Sequence, residues 1–147
     1  MAEFLGRDEA TARALLAAVG VRILRVDDAQ HADVMAQVLT GAVAERGRIV
    51  ADPPADEAAA AVAMGAWHVN AVNEFETVVD GEGIVEFVTA DGPVAVRLAG
   101  GDVMAVERAE HRYRPLTAQG WILRWAGPAD ADLGAVETGR QSGPWPT

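Results

Sequence analysis

Side chains able to do chemistry together begin at His68, Asn70 and Glu74, with Gly81 closing the run and a further histidine, His111, well downstream. The chain has 3 histidines, and two of them fall here. On a β-strand, residues two apart project from one face, so His68 and Asn70 point the same way. Glu74 can rejoin them from the next stretch of sheet, with Asp80-Gly81 turning the following hairpin, and His111 comes from a later strand. Two imidazoles and one carboxylate form a facial set with open positions, suited to Fe(II) or another divalent ion that handles oxygen or an enediol. Asn70 is then a weak fourth ligand through its amide oxygen, a neighbouring hydrogen-bond donor, or the sign of a site that has lost its metal.

Short strands must position these groups. From Trp67 onward, alternating or β-branched runs occur at Trp67–Val72, Phe75–Val79, Gly83–Thr89, Val94–Leu98, Val103–Val106 and Trp121–Trp125. Turn signals separate them at Asp80-Gly81, Asp91-Gly92-Pro93, Gly100-Gly101-Asp102 and Gly120. Many short strands at this spacing predict a sandwich or a closed barrel. The first half reads as helical or mixed. Asp8 and Gly20 frame a short helix over Ala10–Val19, Val21–Val26 reads as a strand, and His31–Leu39 as a second helix. Arg48–Val50 is a candidate edge strand, and Ala55–Met64 an Ala-rich helix. The organisation expected is one domain over residues 1–140, with a helical or mixed part at 1–65 and a barrel core at 66–127. Residues 141–147 read as a flexible tail.

Composition narrows the function classes. At 147 residues a single core can bury roughly 70 % of the unfolded surface. Twelve basic residues, all arginine, face 22 acidic ones for a formal charge of −10, a balance that repels a nucleic-acid backbone. The absence of lysine removes Schiff-base chemistry and a Walker phosphate loop. The absence of cysteine removes disulfides, thiolate metal sites and cysteine nucleophiles. The single serine, Ser142, lies in the tail, away from any nucleophile elbow. No apolar run is long enough to cross a membrane as a helix, and the acidic Met1–Gly20 segment does not read as a secretory signal. The expected setting is cytoplasmic, with a small-molecule substrate, no nucleic-acid or membrane partner, and a monomer or homodimer.

Other residues have blander readings. His31, beside Asp28 and Asp33, reads as solvated, and Asn73 as a strand-end residue. Trp121 and Trp125 share a strand face with Leu123 and read as barrel core that can line a ligand pocket. Arg97 and Arg124, within strands, point either outward to solvent or inward to hold an anionic substrate. Asp130, Asp132 and Glu137 read as a solvated acidic loop.

With these residues in hand, the chain resembles the cupin superfamily, and within it the acireductone dioxygenases. The first cupin motif, His-x-His-x-x-x-Glu-x-x-x-x-x-x-Gly, matches His68, Glu74 and Gly81, with Asn70 at the second histidine. Val78 to Phe87 resembles that family's hairpin with its Asp-Gly-x-Gly turn. Gly101 to Val106 followed by His111 is similar to the second motif. Leu15–Asp28 and Ile122–Pro128 agree in order and position. The chain departs from the pattern at three places: Asn70, Glu76 where the family carries an arginine, and Glu107–Glu110 in place of Pro-x-Gly.

The resemblance implies a mainly β cupin-type barrel, a double-stranded β-helix, with N-terminal helices. It implies a metal site of His68, Asn70, Glu74 and His111 for Fe(II) or Ni(II), and a dioxygenase acting on an enediol or β-dicarbonyl with O₂. Glu74, Glu76 and His68 are the expected catalytic groups, and Trp121, Arg97, Arg124 and Trp125 the expected pocket. The alternatives are a cupin isomerase or cyclase without oxygen chemistry, and a metal-free small-molecule binding barrel.

Overall fold

In the computed structural model, residues 1–51, 64–128 and 133–146 are described. They form strands β1 (Glu3–Leu5), β2 (Val21–Arg25), β3 (Val43–Val50), β4 (His68–Val69), β5 (Glu74–Asp80), β6 (Glu82–Thr89), β7 (Gly92–Ala99), β8 (Asp102–Val106), β9 (His111–Pro115), β10 (Gln119–Ala126) and β11 (Val136–Glu137). Helices α1 (Glu9–Ala17) and α2 (His31–Val38) precede most of them. The expected Ala55–Met64 helix lies outside the described residues except for Met64.

Six strands make one antiparallel sheet in the order β1-β7-β6-β9-β4-β11, and five make the other in the order β2-β8-β5-β10-β3. The chain passes between them as it runs: β5 lies in the five-stranded sheet, β6 and β7 in the six-stranded one, β8 in the first again, then β9 and β10 in alternation. The arrangement is mainly β and jelly-roll-like. Among the described residues, the strands pack as two sheets rather than as one continuously bonded barrel.

That topology corrects one expectation. Asp80-Gly81 does not turn a hairpin, because β5 pairs with β8 and β10 while β6 pairs with β7 and β9. The turn is a corner between sheets. Gly81 sits at φ +77°, and a Cβ there would stand 2.1 Å from the Ala118 carbonyl oxygen, so both backbone conformation and close approach demand glycine. The Asp80 carboxylate accepts from Gly120 N at 2.8 Å, fixing the corner to β10.

The inner faces supply the core: Val85, Phe87, Val94, Val96, Leu98, Met104, Val106, Tyr113, Trp121, Leu123 and Trp125 are buried together. β8 is buried on both faces because α2 covers its outer side, with Val34 and Val38 packed on Phe75, Val103 and Ala105. Asn73 Nδ2 donates to the Val38 carbonyl at 3.1 Å, tying α2 to the start of β5. His31 belongs to this contact too, its ring edge-on to Phe75 at 5.0 Å rather than free in solvent. Asp8 caps α1 by accepting from Thr11 N at 2.9 Å, and Gly20 at φ +82° ends that turn. Asp102, fully buried, accepts from Ala99 N at 2.8 Å and from Arg25 at 2.9 Å, so the Gly100-Gly101-Asp102 turn is locked by its own aspartate. No described helix is long and apolar enough to cross a membrane.

Candidate functional site

Between the sheets lies a cavity of about 180 Å³ lined by His68, Asn70, Glu74, Glu76 and His111, together with Arg48, Tyr113, Trp121 and apolar side chains that include Met104 and Leu123. The register explains the meeting. His68 on β4 is the cross-strand partner of His111 on β9, and their ring centroids lie 4.4 Å apart. On β5, alternation sends Phe75 outward under α2 and leaves Glu74 and Glu76 inside, 1 % and 7 % exposed.

β4 is only two residues long, and its position is set by its neighbours. The Ala71 amide donates to the Leu133 carbonyl at 2.9 Å and the Thr138 amide to the Trp67 carbonyl at 3.0 Å, so the later segment carrying β11 straps the strand that holds His68. His111 enters through the Glu107–Glu110 loop, where Arg108 adopts φ +55°. Behind it, on the outer face of β9, Arg112 is buried and ion-paired to Glu86 at 2.5 Å, between the rings of Trp67 and Trp145. Arg112 also donates to the carbonyls of Gly143 and Pro144 at 2.9 and 3.2 Å. The segment expected as a flexible tail is thus tied down at residues 143–145.

Both histidines share one hydrogen-bond arrangement. His68 Nδ1 lies 2.8 Å from the Ala66 carbonyl oxygen and His111 Nδ1 2.8 Å from that of Ala109. A carbonyl only accepts, so each Nδ1 carries the proton and each neutral ring keeps its lone pair on Nε2. Burial pushes the pKa of both imidazoles down, and for His68 the neighbouring His111 adds to the effect. The carboxylates form a second unit. Asn70 Nδ2 donates to Glu74 Oε1, and Glu76 shares a hydrogen bond with Glu74. Burial raises the pKa of Glu74 and drives that of Glu76 well above its ordinary value, the second reinforced by the charge of Glu74 and opposed by Arg48. Glu76 therefore holds the proton and donates it to Glu74.

The donor set bears on metal binding in two parts. The imidazoles fit a divalent ion: a backbone carbonyl on Nδ1 that leaves Nε2 free is the usual way a ligating histidine is oriented. Glu74, in the same cavity, supplies the chemistry of a third ligand, but its carboxylate is engaged by Asn70 and Glu76. Among the described residues no three His, Cys, Asp or Glu side chains stand gathered as a ready metal site.

The expected pocket residues divide. Trp121 lines the cavity, whereas Trp125 is buried core further along β10, with Arg46 over its ring at 5.3 Å. Arg97 and Arg124 do not enter it: Arg97 pairs with Glu82 at 2.8 Å and Arg124 with Glu45 at 2.6 Å. Each occupies the strand parity opposite to its apolar neighbours, so it faces away from the core. Arg48 is the arginine that lines the cavity. As the first residue of an edge strand over Arg48–Val50 it shows no alternation that would turn it inward. With β3 starting at Val43, the alternation Ala44, Arg46, Arg48, Val50 marks the inner face. Glu137 is exposed in β11, opposite His68, and Asp130 and Asp132 lie outside the described residues.

No family model matches the sequence, and no curated protein does. Solved structures do match. The chain is similar to an acireductone dioxygenase from Bacillus anthracis with a cadmium ion in its active centre, at 17 % identity and a TM-score of 0.56 over 85 % of this chain and 91 % of that one. Oxalate decarboxylases from Bacillus subtilis and Lactobacillus farciminis align at 15 % and 16 % identity with TM-scores of 0.45 and 0.46, this chain spanning under a third of either. At this identity the likeness is one of fold, and it agrees with the fold expected from the sequence: the chain has a cupin fold resembling that of acireductone dioxygenase.

Proposed function

We propose that the chain is a small-molecule enzyme working in this cavity, in which His68 and His111 would hold a divalent ion, Fe(II) or Ni(II), with Glu74 completing the set once it is released by Asn70 and Glu76. The observation that carries the reading is the matched pair of imidazoles, each with Nδ1–H fixed by a backbone carbonyl and Nε2 left free. Such an ion supplies Lewis-acid activation of an enediol or β-dicarbonyl and access to O₂. In a dioxygenation both oxygen atoms finish in the products, so no external reductant is needed. The protein's own residues do the rest. His68 and His111 keep their lone pairs on one side of the cavity. Trp121, Met104 and Leu123 exclude water. Glu76, carrying its proton beside Glu74, can donate it to the substrate oxygen on which the enolate charge develops. The test is oxygen uptake by Fe(II)- and Ni(II)-loaded protein on enolisable dicarbonyls such as acetylacetone. Consumption that disappears in His68→Ala is expected, and its absence with either metal overturns oxygen chemistry.

A second reading, isomerisation or proton transfer without oxygen, draws on a specific observation: the Asn70–Glu74–Glu76 chain is a complete acid–base unit without any ion. It predicts exchange of the substrate α-proton in D₂O, lost in Glu76→Gln, with no oxygen uptake.

A further inference from the structure

Arg48 is the cavity's cation, and the proposed chemistry gives it no task. It is half-buried on β3, opposite Trp121 in the β3–β10 register, and lines the cavity beside Val50. Arg7, Arg13, Arg25, Arg97, Arg112, Arg124 and Arg140 each hold a carboxylate. Arg48 has no ion pair with a described residue, and Glu76, whose ionisation it influences, stands beyond ion-pair distance. A half-buried guanidinium with no ion pair keeps its planar fork open on the cavity side, and that fork matches a carboxylate. The cavity of about 180 Å³ suits a small molecule.

We propose that Arg48 is the anion anchor of this cavity, and that the substrate is a small carboxylate whose enolisable carbonyl end meets the His68–His111 pair. This rests on the reading of the cavity as a dicarbonyl site.

Acetylacetone and acetoacetate are matched probes, the second replacing a methyl ketone with a carboxylate. Calorimetric titration of the purified protein with each, in the parent and in Arg48→Gln and Arg48→Lys, separates the possibilities. Acetoacetate is expected to bind the parent about tenfold more tightly than acetylacetone, as a charge-assisted hydrogen bond warrants. Arg48→Gln removes that preference, and Arg48→Lys retains part of it. Equal binding of the two probes by the parent, or a preference that survives Arg48→Gln, overturns the anchor and leaves the dicarbonyl site standing. Failure of both probes to bind overturns the site and the anchor together.

Discussion

Replacing Asn70 by histidine tests how the metal reading depends on one side chain. In the parent, two imidazoles present Nε2 while Glu74 accepts from Asn70 and Glu76. Asn70→His removes the amide donor from Glu74 and adds an imidazole at a position 3 % exposed. Changes in groups that orient a ligand typically alter metal affinity by about 10–100-fold, and the added ligand acts in the same direction. The expected result is Ni(II) binding at least about a hundredfold tighter, roughly 2.8 kcal/mol at 1.4 kcal/mol per decade. Asn70→Ala, which frees Glu74 without adding a ligand, should gain about tenfold at most. Competition calorimetry against a chelator measures both variants, with thermal melts to confirm folding. If Asn70→His binds Ni(II) no more tightly than the parent, the histidine pair is not one half of a metal site and the reasoning fails.

Two predictions concern the scaffold. Arg112→Leu leaves Glu86 buried without its partner and should cost about 3–5 kcal/mol in urea unfolding, whereas Arg112→Leu with Glu86→Leu should recover most of it. The same single variant releases Gly143 and Pro144, so tryptic cleavage after the exposed Arg140 should accelerate; an unchanged rate contradicts the proposed tie. Gly81→Ala forces a side chain into a positive-φ corner against the Ala118 carbonyl and should cost at least about 1–3 kcal/mol from backbone strain alone. A melt within error of the parent refutes the corner's geometry.

The parts of this molecule legible in the sequence are those written in alternation. β5 to β8 and β10 fall where periodicity and turn residues put them, and His68 and His111 pair across β4 and β9 with Glu74 in the same cavity. β1 and β11 are three and two residues long, too short to carry a period, and their pairings come from distant strands. Asp80-Gly81 announces a turn, but a turn does not say which sheet the next strand joins. Arg97 and Arg124 could have been excluded by parity alone, since Val94, Val96 and Leu98 on β7, and Trp121, Leu123 and Trp125 on β10, name the inner faces. Arg48 lies mid-strand in β3, and the exposed, weakly alternating residues before it give no sign of where that strand starts. The engagement of Glu74 by Asn70 and Glu76 depends on side-chain geometry within the cavity, which spacing does not specify.

The central claim is that His68 and His111 are metal ligands in the protein as it exists. Elemental analysis of the purified chain by inductively coupled plasma mass spectrometry, beside His68→Ala, tests it most directly. Near-stoichiometric Fe, Ni or another divalent metal in the parent, lost in the variant, is the predicted result. A parent that carries no metal and takes up none when Fe(II) or Ni(II) is added contradicts the claim and leaves the Asn70–Glu74–Glu76 unit as the chemistry of the site.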